Sequence, residues 1–149
     1  GFKMLADQLI NMANRMNLNA ILFYIDLDRL KWINDTLGHA SGDLALQDSA
    51  SILLNTFRSS DIIARFGGDE FVILAIEVAE HPQKAMLNRL QEKIRLYNEN
   101  CQRDFKLSFS IGMAYYDCKK PLALDELLEK ADQSMYIEKQ AKRNLQSAG

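Results

Sequence analysis

A chain of 149 residues, 48% hydrophobic and 26% charged, is long enough to bury a genuine core and fits one globular domain. The net charge is −2 with acids and bases interspersed, so there is no broad basic field and non-specific binding to nucleic-acid phosphates is not expected. No apolar run approaches the ~18 residues that a membrane-spanning helix needs, and the start is not signal-like.

A first helix is predicted from about Lys3 to Met16, with Met4, Leu5, Leu9, Met12 and Met16 as its apolar stripe. Ala20 to Ile25 reads as a buried strand that runs into Asp26-Leu27-Asp28. A short helix follows to Leu37, with Asp28 as its N-cap and Gly38 as its stop. Another helix covers about Gly42 to Phe57. Asp61 to Ile76 reads as a hairpin whose Gly67-Gly68 forms a two-residue primed turn, because glycine reaches positive φ cheaply. Pro82 opens a helix to about Tyr97 through Met86, Leu90 and Ile94. Lys106 to Tyr115 alternates Leu107, Phe109, Ile111 and Met113 as a strand. The last helix runs from Leu124 to about Lys142 on Leu124, Leu127, Leu128, Ala131 and Met135. The order α-β-α-α-β-β-α-β-α predicts an α/β chain of the α+β sandwich type, with a helix-covered central mixed sheet containing an antiparallel hairpin.

The chemistry-bearing residues gather at strand ends. Asp26 closes an otherwise apolar strand, where a rigid scaffold leaves the backbone accessible. Asp28, two residues on, would point the same way from extended backbone, although its favoured reading is a helix cap. Asp69 and Glu70 follow glycines that leave no side chain in a ligand's way, and paired acids beside bare backbone suit a divalent cation carrying a phosphate. Between them, Lys31 to Asp43 contains Asn34, Asp35, Gly38 and Asp43, which on their own also fit helix surface and turn chemistry. Cys101 and Cys118 lack metal-type spacing and read as free thiols of a reducing cytoplasm, and the isolated His39 and His81 assemble neither a metal site nor a serine-type triad. Trp32, Tyr97 and Tyr136 sit at helical spacing among apolar residues and read as packing.

Gly67-Gly68-Asp69-Glu70-Phe71, the block from Asp26 through Lys31, Asn34 and Asp35 to Gly38, His39, Gly42 and Asp43, and the closing Ala131-Asp132 through Tyr136 and Lys139 to Arg143-Asn144 together resemble the GGDEF domain, the diguanylate cyclase module. The likeness covers nearly the whole chain in the right order. It departs at Leu30, where the family often has Phe, and at Lys142, where it often has Gly. The family's usual opening segment is missing, so residues 1–149 are expected to be one cytoplasmic GGDEF domain truncated at its N-terminus from a longer signalling protein, whose remainder is open to membrane anchoring.

The resemblance implies a fold related to adenylyl cyclases and polymerase palms, and a reaction in which two GTP become cyclic di-GMP and two pyrophosphates across two domains meeting head to head. It implies Asp26, the Leu27 carbonyl, Asp69 and Glu70 as ligands of Mg²⁺ (or Mn²⁺), and Asp69, Glu70 and Lys31 as catalytic residues. Asn34 and Asp43 would read guanine, and Lys31, Lys139 and Arg143 would hold the triphosphate. Arg58 and Asp61 match an inhibitory site for the product, with Arg89, Lys93 and Arg95 competing to complete it. The partners implied are GTP, cyclic di-GMP and a second copy of the domain, with no nucleic acid and no membrane contact. The rival readings are a non-catalytic cyclic di-GMP receptor and a GTP-binding module that activates a partner enzyme.

Overall fold

The computed structural model describes residues 1–77, 82–100 and 102–148, so His81 and Cys101 lie outside the described residues. Its elements follow the predicted order: α1 (Phe2–Arg15), β1 (Asn19–Leu27), α2 (Leu30–Leu37), α3 (His39–Thr56), β2 (Ile62–Arg65), β3 (Glu70–Glu77), α4 (Pro82–Asn100), β4 (Phe109–Tyr116) and α5 (Leu124–Ala148). The four strands form one sheet in the order β2-β3-β1-β4.

The expectation of a mixed sheet needs correction, because β1–β3, β1–β4 and β2–β3 are all antiparallel pairs. The helical crossovers do join strands that run the same way, β1 to β2 and β3 to β4. Each crossover, however, passes over one intervening strand, β3 in the first case and β1 in the second. That intervening strand runs the other way, so no two parallel strands become neighbours.

Alternation along β1 supplies two cores at once. Ile21, Phe23, Ile25 and Leu27 pack with Ile33 of α2, Leu53 of α3 and Leu90 of α4 on one face. Ala20, Leu22 and Tyr24 pack with Ala6 and Ile10 of α1 and Leu127, Ala131 and Met135 of α5 on the other. A central strand covered on both sides is predominantly apolar, which is why the Tyr24 hydroxyl is the one polar side-chain group between Ala20 and Ile25. The inner faces of α4 and α5 match their sequence patterns: Met86, Leu90, Leu124, Leu127, Leu128, Ala131 and Met135 are all buried.

The first helix turns differently from its predicted stripe. Met4, Leu5, Met12 and Met16 are exposed, whereas Ala6, Ile10 and Ala13 are buried. Small alanines let the helix lie close on the sheet, and the longer methionines are left on the rim. Trp32 and Tyr136 are likewise exposed, 43% and 57%, and Trp32 carries Arg29 over its ring at 4.7 Å. Packing does not account for either side chain. Tyr97 is half-buried and donates its hydroxyl to Asp48.

Two turns also depart from expectation. Asp28 does not cap α2: Arg29 occupies the N-cap in the left-handed region at φ 63°, with no side-chain cap. The glycines of the hairpin do not sit at positive φ, a conformation that Gly38 alone adopts among the described glycines, at φ 96°. A wider loop over residues 66–69 replaces the two-residue turn. It is closed by the Phe66 N–H on the Glu70 carbonyl (2.9 Å) and by the Arg65 guanidinium on the carbonyls of Gly67 (3.1 Å) and Gly68 (2.7 Å). Because a side chain closes this loop, its glycines are freed from the turn's φ requirement.

The layers approach closely at Gly112 of β4. A Cβ there would lie 2.1 Å from the Met135 amide nitrogen and 2.2 Å from the Ala131 carbonyl oxygen, so α5 rests backbone to backbone on the strand. Gly112→Ala must therefore push α5 off the sheet, and it should cost about 3 kcal/mol, the upper end of ordinary overpacking. Urea denaturation measures this, and a loss below about 1 kcal/mol would mean that α5 is loosely seated.

Candidate active site

The carboxylates converge because of strand register. Asp26 at the end of β1 pairs directly with Glu70 at the start of β3, and both belong to the face that holds Tyr24, Val72 and α5. Asp69 precedes Glu70 in the loop, and its carbonyl accepts the Leu27 N–H at 2.9 Å, which pins the hairpin loop to the end of β1. As a result Asp26, Asp69 and Glu70 each offer a carboxylate oxygen, and these atoms lie within 4.8 Å of one another. Three acids far apart in sequence thus share one small space.

Asp26 is the most buried of them. One oxygen, Oδ2, accepts from Lys139 Nζ at 2.6 Å, and the other, Oδ1, is buried without a hydrogen-bond partner. Burial pushes its carboxyl up to about 6, with Asp69 adding to the rise and Lys139 opposing it. A buried acceptor left unsatisfied is costly in a native fold, and hard oxygen donors in this arrangement suit a small divalent cation. The residues present therefore fit the expected metal.

Sequence reasoning missed Tyr24. Its hydroxyl donates to Glu70 Oε2 at 2.7 Å, and burial together with that carboxylate pushes the phenol well above its usual range. The bond orients the Glu70 carboxylate. The available signal was the spacing: Tyr24 stands two residues before Asp26 and so faces the same side of the strand.

Asp28 points toward α5 as Asp26 does, in keeping with their two-residue spacing, but it plays a different part. Its carboxylate accepts from Ser108 (2.8 Å), Ser110 (2.6 Å) and Lys142 (2.8 Å). Lys142 also donates to the Phe109 carbonyl. The residue that departs from the family pattern thus ties α5 to β4 and the β1–α2 turn, and the helix continues past it to Ala148. Beside this tie lies a cavity of about 450 Å³ lined by Arg29, Trp32, Lys106, Lys139, Lys142 and Arg143, among others. The lining holds five cations against the two acids Asp28 and Asp104, and although Lys139 and Lys142 are engaged by Asp26 and Asp28, the excess of positive charge can take up a polyanion.

The base-reading candidates lie on α2 and α3. Asn34 is half-buried against Gly42, where an added Cβ would come within 1.7 Å of Asn34 Oδ1. Asp43 is exposed and lines a cavity of about 370 Å³ between α3 and the hairpin, together with Arg65 and Phe71. Lys31 is exposed on α2. Arg58 and Asp61 sit apart from these residues, at the start of β2. The Arg58 amide and guanidinium donate to the Asp61 carboxylate (2.8 and 3.2 Å), the guanidinium also reaches the Ile76 carbonyl (2.9 Å), and Arg58 Nε is buried without a partner. Of the three cations considered for this region, Arg95 pairs with Glu92 and Glu99 on its own helix, while Arg89 is exposed and Lys93 half-buried.

Among the described residues no helix is long and apolar enough to cross a membrane. The chain is 36% identical over 135 residues to diguanylate cyclase DosC of Escherichia coli (strain K12), covering 89% of this chain and 29% of that protein. It is 33% identical over 153 residues to diguanylate cyclase A of Treponema denticola, covering 96% of this chain and 39% of the relative. The chain therefore spans well under half the length of these relatives. Among solved structures, the GGDEF domain of PA1120 (YfiN or TpbB) from Pseudomonas aeruginosa superposes with a TM-score of 0.82 at 31% identity, covering 93% of this chain and 88% of that one. A structure described as a novel interaction mode between a microbial GGDEF domain and cyclic di-GMP gives 0.75 at 30% identity, with 93% and 84% covered. A family model described as diguanylate cyclase, GGDEF domain, matches residues 1–145, and the chain belongs to that family.

Proposed function

We propose that this domain is a diguanylate cyclase, condensing two GTP into cyclic di-GMP with release of two pyrophosphates, one GTP being held by each of two copies placed face to face. The observation that carries this reading is the meeting of Asp26, Asp69 and Glu70 within 4.8 Å beside a cationic cavity. The names of the relatives support it.

Asp26, Asp69, Glu70 and the Leu27 carbonyl would hold Mg²⁺ or Mn²⁺, which when bound offsets triphosphate charge and makes the 3′-hydroxyl easier to deprotonate. Glu70, oriented by Tyr24, is the candidate to accept the 3′-hydroxyl proton as that oxygen attacks the α-phosphate of the opposite nucleotide. Lys31, Lys139 and Arg143 neutralise the triphosphate and the departing pyrophosphate. Asn34 and Asp43 read the guanine edge, whose two N–H donors a carboxylate can accept together. Asp43 is exposed in the fold itself, so its desolvation would come with the base, and adenine would leave it unpaired. Arg58, with its unused Nε donor, and Asp61 form the candidate inhibitory site for the product.

The deciding assay is incubation of the dimerised domain with GTP and Mg²⁺, followed by chromatography for cyclic di-GMP and pyrophosphate. Binding without turnover would instead favour a receptor or an activating module. Asp69→Ala and Glu70→Ala should each lower turnover at least about 100-fold with unchanged circular dichroism. Full activity in both variants would overturn the metal assignment. Gly42→Ala should displace the Asn34 amide and raise KM for GTP about tenfold with little change in melting temperature, because the clash falls on a movable side chain. Arg58→Ala should leave initial turnover intact while raising the product concentration for half-inhibition about tenfold, and an unchanged inhibition curve would place product binding elsewhere.

A further inference from the structure

We infer that Lys139 is an exchangeable counter-cation of the acid cluster, occupying Asp26 when no divalent ion is bound and surrendering it when one enters. This rests on the reading of Asp26, Asp69 and Glu70 as a metal site and adds a competition within it. The ammonium lies 2.6 Å from Asp26 Oδ2, with the two side chains only 19% and 6% exposed, so the pair is shielded from solvent and salt. Asp26 is also one of the three acids that offer a ligand oxygen within a 4.8 Å space. A divalent ion taken up by the three acids through the open Asp26 Oδ1 would share that carboxylate with the ammonium on Oδ2. Repulsion between the two cations across one carboxylate favours departure of the singly charged one.

The chain provides a route for the departure. The lysine ammonium sits on a flexible four-carbon stem, and Lys139 lines the cationic cavity where a polyphosphate would lie. Its neighbour on α5, Lys142, is committed to Asp28, Ser108 and the Phe109 carbonyl and holds the helix in place while Lys139 moves. An ion arriving alone must displace Lys139 and offer it no new anion. An ion arriving with a nucleoside triphosphate supplies that anion. Ion and nucleotide therefore bind with positive coupling, each raising the affinity of the other through one side chain.

The test is a nucleotide-free titration with Mn²⁺ itself, reading free Mn²⁺ by electron paramagnetic resonance on the wild-type chain, Lys139→Met, Lys139→Gln and Asp69→Ala. Removing the competing charge should tighten Mn²⁺ binding about tenfold in Lys139→Met, with Lys139→Gln shifted in the same direction, while Asp69→Ala weakens it. A non-hydrolysable GTP analogue should then raise Mn²⁺ affinity strongly in the wild type and far less in Lys139→Met. Equal or weaker Mn²⁺ binding in both lysine variants, with binding still sensitive to Asp69→Ala, overturns the exchange and spares the metal site. Wild-type binding that is undetectable or indifferent to Asp69→Ala overturns the metal site and the exchange together. If neither lysine variant folds, ¹⁵N-lysine resonances of the wild type decide: Mg²⁺ should shift the Lys139 ammonium signal, and an unmoved signal at saturating Mg²⁺ overturns the exchange.

Discussion

Three carboxylates confined to a space under 5 Å across repel one another, and the fold around them is arranged to tolerate that repulsion. Tyr24 donates to Glu70, Lys139 donates to Asp26, and the Leu27 amide fixes the loop that carries Asp69. The first two bonds lower the cost of crowding the acids, and the third holds Asp69 beside them. What remains unsatisfied, a buried Asp26 oxygen, is located where a cation would be most useful. Strain of this kind persists only where surrounding structure over-determines it.

The over-determination comes from the sheet. Antiparallel register brings Asp26 opposite Glu70 on one side and Ser110 on the other, so a single strand end addresses both of its neighbours. The same register gives Asp28 its two serine partners and, through Lys142, anchors the helix that delivers Lys139 and Arg143. Acid cluster and cationic cavity are two sides of one strand terminus.

Much of this was legible in the residues. Hydrophobic periodicity located the elements in order, and the recurrence of acids at strand ends singled out Asp26, Asp69 and Glu70. Where reading failed, the cause was local competition that a sequence pattern cannot weigh. Asp28 looked like a helix cap because caps are what aspartates before helices usually are, but two serines and a lysine from distant segments hold it more fully. The glycine pair suggested a tight turn because nothing in the sequence shows that Arg65 folds back to close a wider one. The methionine stripe of α1 outweighed Ala6 and Ala13 on any hydrophobicity count, yet close packing favours small residues against the sheet. Tyr24 was hidden in a strand that reads as uniformly apolar.

Where α5 rests on Gly112, no rotamer stands between the layers. Side chains elsewhere in the two cores can exchange volume and repack, and the helix still seats at a height set by peptide dimensions alone. That contact works as a mechanical datum: the reach from Met135 up the helix to Lys139 is gauged from bare main chain, not from the accumulated fit of neighbouring groups. The height of the helix turn that bears Lys139 is thereby insulated from drift in the hydrophobic layers beneath it.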